Sequence, residues 1–496
     1  MSLVERLKEQ MRQPDAARAI MFNGQTFTWR DVRRFGEDLE ALLTARGIDA
    51  RQTVGLLSRN RPAHAATILY TIGSGRSISM IYTLQASERI ADDLERLQLP
   101  VVVGAAEDWS SDAVEAAAKT GSLGLSLPRA DQLRVEPVAE LASLEPSLLT
   151  AKRDGQSLAL LSSGTTGAPK RIAFADAVLD RMLETLSVVD ADGVVPGPEI
   201  NFFPLSGMGG MTPLLASICR AGSVCLLEKF QLEGWLRAVE EHQPQVVVVL
   251  PAMIREILDK QVPERCLRSV RMAWGGSAPL DPDVQEEFEG RFSIPVLWGY
   301  GATEFAGTVA SWTPRLRDEF GGRKRGSVGR ALPGISIRVV DPNTGWENPC
   351  GVEGLLEARV PVLGREWIRT TDLAVKDQDD FIFLRGRSDQ AIIRGGFKVL
   401  PETISDALRD HPAVRDAMAA GVADRRLGQV PIAAVELRDG AGAQEADLIA
   451  FLRSKLMTYA VPTRVLVVPA LPRTGNLKSS IAALREMAAA SGDWPP

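Results

Sequence analysis

From residue 25 to about 100 the apolar positions alternate between two periods. Thr28 stands as a cap ahead of Trp29-Arg30-Asp31-Val32, Val54-Gly55-Leu56-Leu57 reads as a strand, and apolar residues from Pro62 to Ile72 recur at helical spacing. Strand and helix in turn predict a largely parallel sheet with crossover helices. Between about 105 and 150, Ala, Ser, Glu and Asp dilute the pattern, and an irregular helical connection is expected there. Leu158-Ala159-Leu160-Leu161 resumes the strand pattern, a helix is expected near Ala177 to Val188, and Val246 to Leu250 is an unbroken apolar run suited to a buried parallel strand.

Two further strands each run into a glycine turn, Met272-Ala273-Trp274-Gly275-Gly276-Ser277-Ala278 and Val296-Leu297-Trp298-Gly299-Tyr300-Gly301-Ala302-Thr303-Glu304. Strand ends followed by glycine-rich loops are where open α/β sheets hold ligands. From Gly321 to Phe383 short strands are separated by Gly, Pro and Asp-Asn turns, and α+β character returns after Arg387. The expected fold is α/β: a large domain over 1–386 with a β-rich subdomain at about 321–386, then a small mobile α+β domain over 387–496.

A chain of 496 residues exceeds one ordinary core. With 45% apolar residues, 24% charged and a net charge of −6, it reads as soluble and globular, and no basic cluster points to nucleic acid. Cys219, Cys225, Cys266 and Cys350 lack C-x-x-C spacing, so reduced, mostly buried thiols in a cytoplasmic protein are expected. The first residues lack the apolar core of a signal peptide, and the longest apolar run is broken by Pro251, short of the roughly 18 residues of a membrane span. His64, His242 and His411 have no ligand-spaced partners and are assigned surface or capping roles. The chemistry must rest on other groups.

Ser162-Ser163-Gly164-Thr165-Thr166-Gly167-Ala168-Pro169-Lys170 offers such groups. Its glycines let backbone N–H groups approach an anion, its hydroxyls donate to phosphate oxygens, and Lys170 neutralises charge. The order differs from the G-x-x-x-x-G-K-[ST] of a P-loop. A polyphosphate cradle is the reading, against a plain Ser/Gly turn.

Together these stretches resemble the adenylate-forming superfamily, which includes acyl- and aryl-CoA ligases, luciferases and nonribosomal peptide adenylation domains. Besides the phosphate loop, Gly275 to Leu280 is similar to its adenine-facing turn, Tyr300-Gly301-Ala302-Thr303-Glu304 to its Y-G-x-T-E, Arg369-Thr370-Thr371-Asp372 to its R-T-G-D, and Gly386-Arg387-Ser388-Asp389 to its hinge. The resemblance implies that Ser162, Thr165, Thr166 and Lys170 contact ATP phosphates, that Gly276, Ser277, Ala278, Tyr300 and Gly301 hold the nucleotide, and that Glu304 binds Mg²⁺. It further implies that Thr303 donates to the α-phosphate and that Asp372 and Arg387 grip the ribose. Lys478, in Pro472-Arg473-Thr474-Gly475-Asn476-Leu477-Lys478, would catalyse the first half-reaction through charge stabilisation. Gly395 and Gly396 would line the path of the pantetheine thiol after rotation about Asp389. The plainer alternatives are a helix-end charge at Glu304, a salt bridge between Asp372 and Arg387, and a solvated Lys478.

The chain departs from the pattern in several places. Thr371 and Leu477 replace glycines, Pro401-Glu402-Thr403-Ile404-Ser405 loses both acidic positions of P-x-E-[IV]-E, and Pro204-Leu205-Ser206-Gly207-Met208 lacks the gating histidine. The resemblance places the acid pocket at Phe203, Ser206, Gly207, Met208, Trp274, Trp298 and Phe305, where two indoles in one tunnel would favour a short, branched or aryl acid. Asn201-Phe202-Phe203 offers no aspartate for an ammonium group, which disfavours amino acids. The implied ligands are ATP, Mg²⁺, a carboxylic acid, and either CoA or the phosphopantetheine of an acyl carrier protein. A non-catalytic binder of nucleotide or acyl-AMP is the third reading.

Overall fold

The computed structural model describes residues 1–83, 87–143, 156–161, 171–187, 197–394, 397–424, 427–474 and 479–490. Packing divides the chain into Met1–Gly334 with Val360–Gly364, and Ile335–Arg359 with Arg365–Pro496.

Among the described residues the first unit holds three sheets. In the seven-stranded one, Leu123–Leu127, Val101–Ala105, Val54–Ser58, Ile78–Tyr82 and Gln156–Leu161 run parallel, and Arg171–Ala175 closes one edge antiparallel. Thr28 caps the helix Trp29–Ala45 in a capping box with Asp31, and Trp29, Val32, Phe35, Leu39 and Leu43 bury one face. A side chain at Gly36 would collide with the Tyr70 ring, so this helix meets Pro62–Gly73 at close range.

Three expectations are corrected here. The stretch from 105 to 150 is not merely an irregular connection, because it contains the helix Ser111–Thr120 and the buried strand Leu123–Leu127. That strand lacks β-branched residues, and its pairing with Val101–Ala105 overrides weak local propensity. His64 is neither at the surface nor a cap: the helix Pro62–Gly73 is buried nearly all round, and His64 is 1% exposed. Neither ring nitrogen has a hydrogen-bond partner. Burial first, then Arg61 and Arg59, push its pKa down to about 3. The thiols are not mostly buried either: Cys225 is buried, Cys219 and Cys266 are half-buried, and Cys350 is exposed.

A second sheet orders Glu199–Asn201, Val224–Leu226, Arg18–Phe22 and Gln25–Thr28. In the third, Val246–Val249, Met272–Gly275 and Val296–Ala302 run parallel, and Gly307–Ser311 and Arg330–Ala331 follow antiparallel. The second unit joins an antiparallel sheet, Ser336–Val340 to Ile382–Arg387, to a five-stranded sheet centred on Gly428–Leu437 and packed with Pro401–Arg409 and Glu445–Lys455. The chain is an α/β protein with a separate C-terminal α+β region, as its patterning predicts. Among the described residues no helix is long and apolar enough to cross a membrane.

Candidate active site

The carboxyl ends of Met272–Gly275 and Val296–Ala302 are neighbours in one parallel sheet, so the two glycine turns lie at the same edge. Trp298 ties them together. It is 4% exposed, its ring fills the space a side chain at Gly275 would need, and its indole Nε1 donates to the Ala278 carbonyl at 3.1 Å. Ser277 takes a left-handed φ of 69°, uncommon outside glycine. A Cβ at Gly276 would stand 3.0 Å from the Gly299 carbonyl, so the turn runs hard against the next strand.

Register decides what the two tryptophans can share. Trp274 pairs with Leu297 and Gly275 with Trp298, so Trp274 and Trp298 point to opposite faces of the sheet. The expectation that both indoles fill one tunnel is therefore corrected. Trp274 is half-buried on the Gly276 and Gly299 face, while Trp298 lies on the other.

Beyond Ala302 a single helical turn, Thr303–Phe305, leads through left-handed Ala306 into Gly307–Ser311. A side chain at Gly301 would strike the Gly307 carbonyl, so packing alone accounts for this glycine. Tyr300 is buried with its ring edge-on to Phe305 at 6.1 Å. Phe305, expected in the acid pocket, is fully buried and supports Tyr300. Glu304 is exposed, Thr303 is half-buried, and neither side chain has a hydrogen-bond or ion-pair partner among the described residues. A solvent-facing carboxylate without a protein cation suits a hard metal ion bridging phosphates.

The segment Phe203 to Met208 is held by two buried asparagines. Asn60 Nδ2 donates to the Phe203 carbonyl at 2.8 Å, and Asn60 Oδ1 accepts from the Leu205 N–H at 3.1 Å. Asn201 donates to the Gly210 carbonyl at 2.8 Å and accepts from the Phe203 N–H at 3.2 Å. Asn201 is thus occupied with backbone and unavailable to a substrate. Asn60 escaped the sequence reading, although a polar residue just past the strand Val54–Ser58 was a usable signal. Phe203 stacks on Phe202 at 4.5 Å, Ser206 is buried, and Gly207 precedes the helix Met208–Ala221 as its N-cap.

In the second unit Asp372 and Arg387 are partners on adjacent antiparallel strands. Arg387 Nη2 donates to Thr371 Oγ1 at 2.7 Å, and the Asp372 N–H donates to Thr370 Oγ1 at 3.0 Å. Next to Arg387, Gly386 takes a φ of 121°, and a side chain there would meet the Glu402 carboxylate. Glu402 Oε2 is buried without a hydrogen bond, and burial pushes this carboxyl's pKa up. Arg394 was also missed: its guanidinium donates to the Tyr459 and Val461 carbonyls, each at 3.0 Å, fixing the strand end before Gly395.

Ser162, Thr165, Thr166, Lys170, Gly395, Gly396 and Lys478 lie outside the described residues. Their flanks are defined. Leu161 pairs with Arg171, and Arg473 bridges to Ser479 while the Ser480 N–H donates to the Pro472 carbonyl at 2.9 Å. Arg473 in turn pairs with Asp416 at 2.8 Å. The residues that flank 162–170 and 475–478 thus pair with one another across each stretch.

A family model described as AMP-binding enzyme matches residues 7–366, and one described as AMP-binding enzyme C-terminal domain matches 403–478. The 4-coumarate--CoA ligase-like 9 protein of Arabidopsis thaliana is 28% identical over 362 residues, and the match spans 68% of this chain and 62% of that protein. The Peroxisomal OPC-8:0-CoA ligase 1 of the same plant is 28% identical over 484 residues, 92% of this chain and 87% of the relative. Among solved structures, ATP-bound MatB from Rhodopseudomonas palustris superposes with a TM-score of 0.83 at 24% identity, covering 98% and 99% of the two chains.

Proposed function

The chain belongs to the AMP-binding enzyme family, and from that premise we propose that it joins a carboxylic acid to the thiol of CoA at the expense of ATP. The acid's carboxylate oxygen attacks the α-phosphorus, the bond to pyrophosphate breaks, and an acyl-adenylate forms. The CoA thiol then attacks the acyl carbon, loses its proton, and AMP leaves. The carrying observation is that Thr303 and Glu304, free of protein partners among the described residues, stand at the strand edge that also carries the Gly276 to Ala278 turn.

Thr303 donates to the α-phosphate oxygens, and Gly276 to Ala278 with Tyr300 and Gly301 seat the base. Mg²⁺ held by Glu304 would supply charge neutralisation at the phosphates. Asp372 accepts from the ribose hydroxyls and Arg387 donates to the same sugar, its guanidinium held by Thr371. Ser162, Thr165, Thr166 and Lys170 bind the departing phosphates, and Lys478 bonds the carboxylate and α-phosphate as charge builds. The residues after 387 form the moving domain, with Asp389 at the hinge and Gly395 and Gly396 beside the incoming thiol.

The acid is short, branched or aryl, bounded on one sheet face by Trp274, with Phe203, Ser206, Gly207 and Met208 along the segment held by Asn60 and Asn201. CoA is favoured over a carrier protein by the CoA ligases among the relatives. A non-catalytic role loses one of its two supports, since Thr371 is accommodated as a partner of Arg387.

Incubating the protein with ATP, Mg²⁺ and a panel of acids, with CoA or with a phosphopantetheinylated carrier protein, tests this directly by mass spectrometry. An acyl-CoA with stoichiometric AMP is expected. Acylated carrier with no acyl-CoA would overturn the acceptor, and neither product from any acid would overturn the reading.

A further inference from the structure

Between the strand end at Gly275 and Asp281, which caps the helix Pro282–Phe292, the backbone crosses from sheet to helix through a turn with left-handed Ser277. Holding a serine in that region costs about 1 kcal/mol, so the conformation persists only where neighbours over-determine it. Among the described residues one side chain donates a hydrogen bond to Gly276–Pro279, the indole of Trp298. That same indole occupies the space over Gly275 and is almost completely buried.

We infer that Trp298 is a positioning residue for the nucleotide-facing turn rather than a wall of the acid pocket. Its ring excludes any side chain at Gly275, and its Nε1–H holds the Ala278 carbonyl one residue beyond left-handed Ser277. The opposite face of the strand pair, with Trp274, is left to the acid. The inference rests on the reading that Gly276 to Ala278 faces the adenine.

Trp298→Phe keeps a ring over Gly275 but removes the donor. Titration calorimetry with ATP and Mg²⁺ is expected to show a Kd raised roughly three- to tenfold, the weight of one hydrogen bond. The acid KM and the preference across an acid panel stay at wild-type values, and the melting temperature shifts by no more than a few degrees. Gly275→Ala, which forces the indole aside, gives at least the same ATP-side loss, and the circular dichroism and melting temperature of both variants guard against a folding artefact. An unchanged ATP Kd together with an altered acid preference in Trp298→Phe would overturn the inference while leaving adenylation standing. Wild-type protein that binds no ATP would overturn the adenylation reading and this inference with it.

Discussion

At the scale of single residues, departures from the family pattern acquire physical roles. Thr371 stands where the pattern has glycine, and its hydroxyl accepts from Arg387 at 2.7 Å. Thr371→Val preserves shape and removes the acceptor, so the KM for ATP should rise about fivefold, the loss of one charge-assisted bond on a partly exposed strand, with a smaller change in kcat. Steady-state kinetics at varied ATP check this. His64 is a liability of another kind: its folded pKa of about 3 lies below the unfolded value near 6.5. Below pH 6.5 the unfolded chain takes up a proton that the native state refuses. The associated stability is complete above pH 6.5 and falls by about 1.4 kcal/mol per pH unit as pH drops toward 3. His64→Leu should remove that slope, so that between pH 7 and pH 5 it loses about 2 kcal/mol less than wild type in urea unfolding.

At the scale of elements, the helix Pro401–Arg409 rests its N-terminal Glu402 on Gly386 in the strand Ile382–Arg387. Burial raises the Glu402 pKa, Asp406 adds to the shift, and Arg387 and Arg409 oppose it. A carboxyl with a raised folded pKa contributes fully below its unfolded pKa and loses that contribution as pH rises through the folded value. Glu402→Gln, which stays neutral, should therefore stabilise the protein relative to wild type, with a gain that grows from pH 4 to pH 8. Thermal unfolding at the two pH values measures it, and an equal gain at both would contradict the assigned burial.

Elements also show what a sequence can carry. The Thr28 cap, the run Val246 to Leu250 and the glycine turns after Met272 and Val296 were legible because each signal is local: a cap, an apolar run, a strand that stops at glycine. Leu123–Leu127 was not, because its strand character comes from the neighbour it pairs with. The opposite facing of Trp274 and Trp298 was hidden for the same reason, since facing depends on a register between strands over twenty residues apart. Asn60 is marked in the sequence only as a polar residue past a strand end, and its targets, like those of Arg394, are backbone carbonyls distant in sequence that no spacing rule reaches.

At the scale of the whole molecule, the proposed chemistry draws on groups spread from Ser162 to Lys478. The order of motifs made the family recognisable, and with it a proposed working cycle in which Lys478, then Gly395 and Gly396, take part. That cycle assigns Lys478 to the first step alone. Lys478→Ala should abolish acyl-adenylate formation while retaining thioester formation from supplied acyl-AMP at close to the wild-type rate. Loss of both steps in equal measure would mean that the lysine is not confined to adenylation.

The proposed function requires that this chain, with Leu477 and Thr371 in place of glycines, still forms an acyl-adenylate. Exchange of labelled pyrophosphate into ATP, dependent on the acid and run without CoA, reads that step in isolation. Acid-dependent exchange is expected in the wild type, strongest with a short, branched or aryl acid, and none in Lys478→Ala. Wild-type protein that binds ATP yet exchanges no label with any such acid would contradict it.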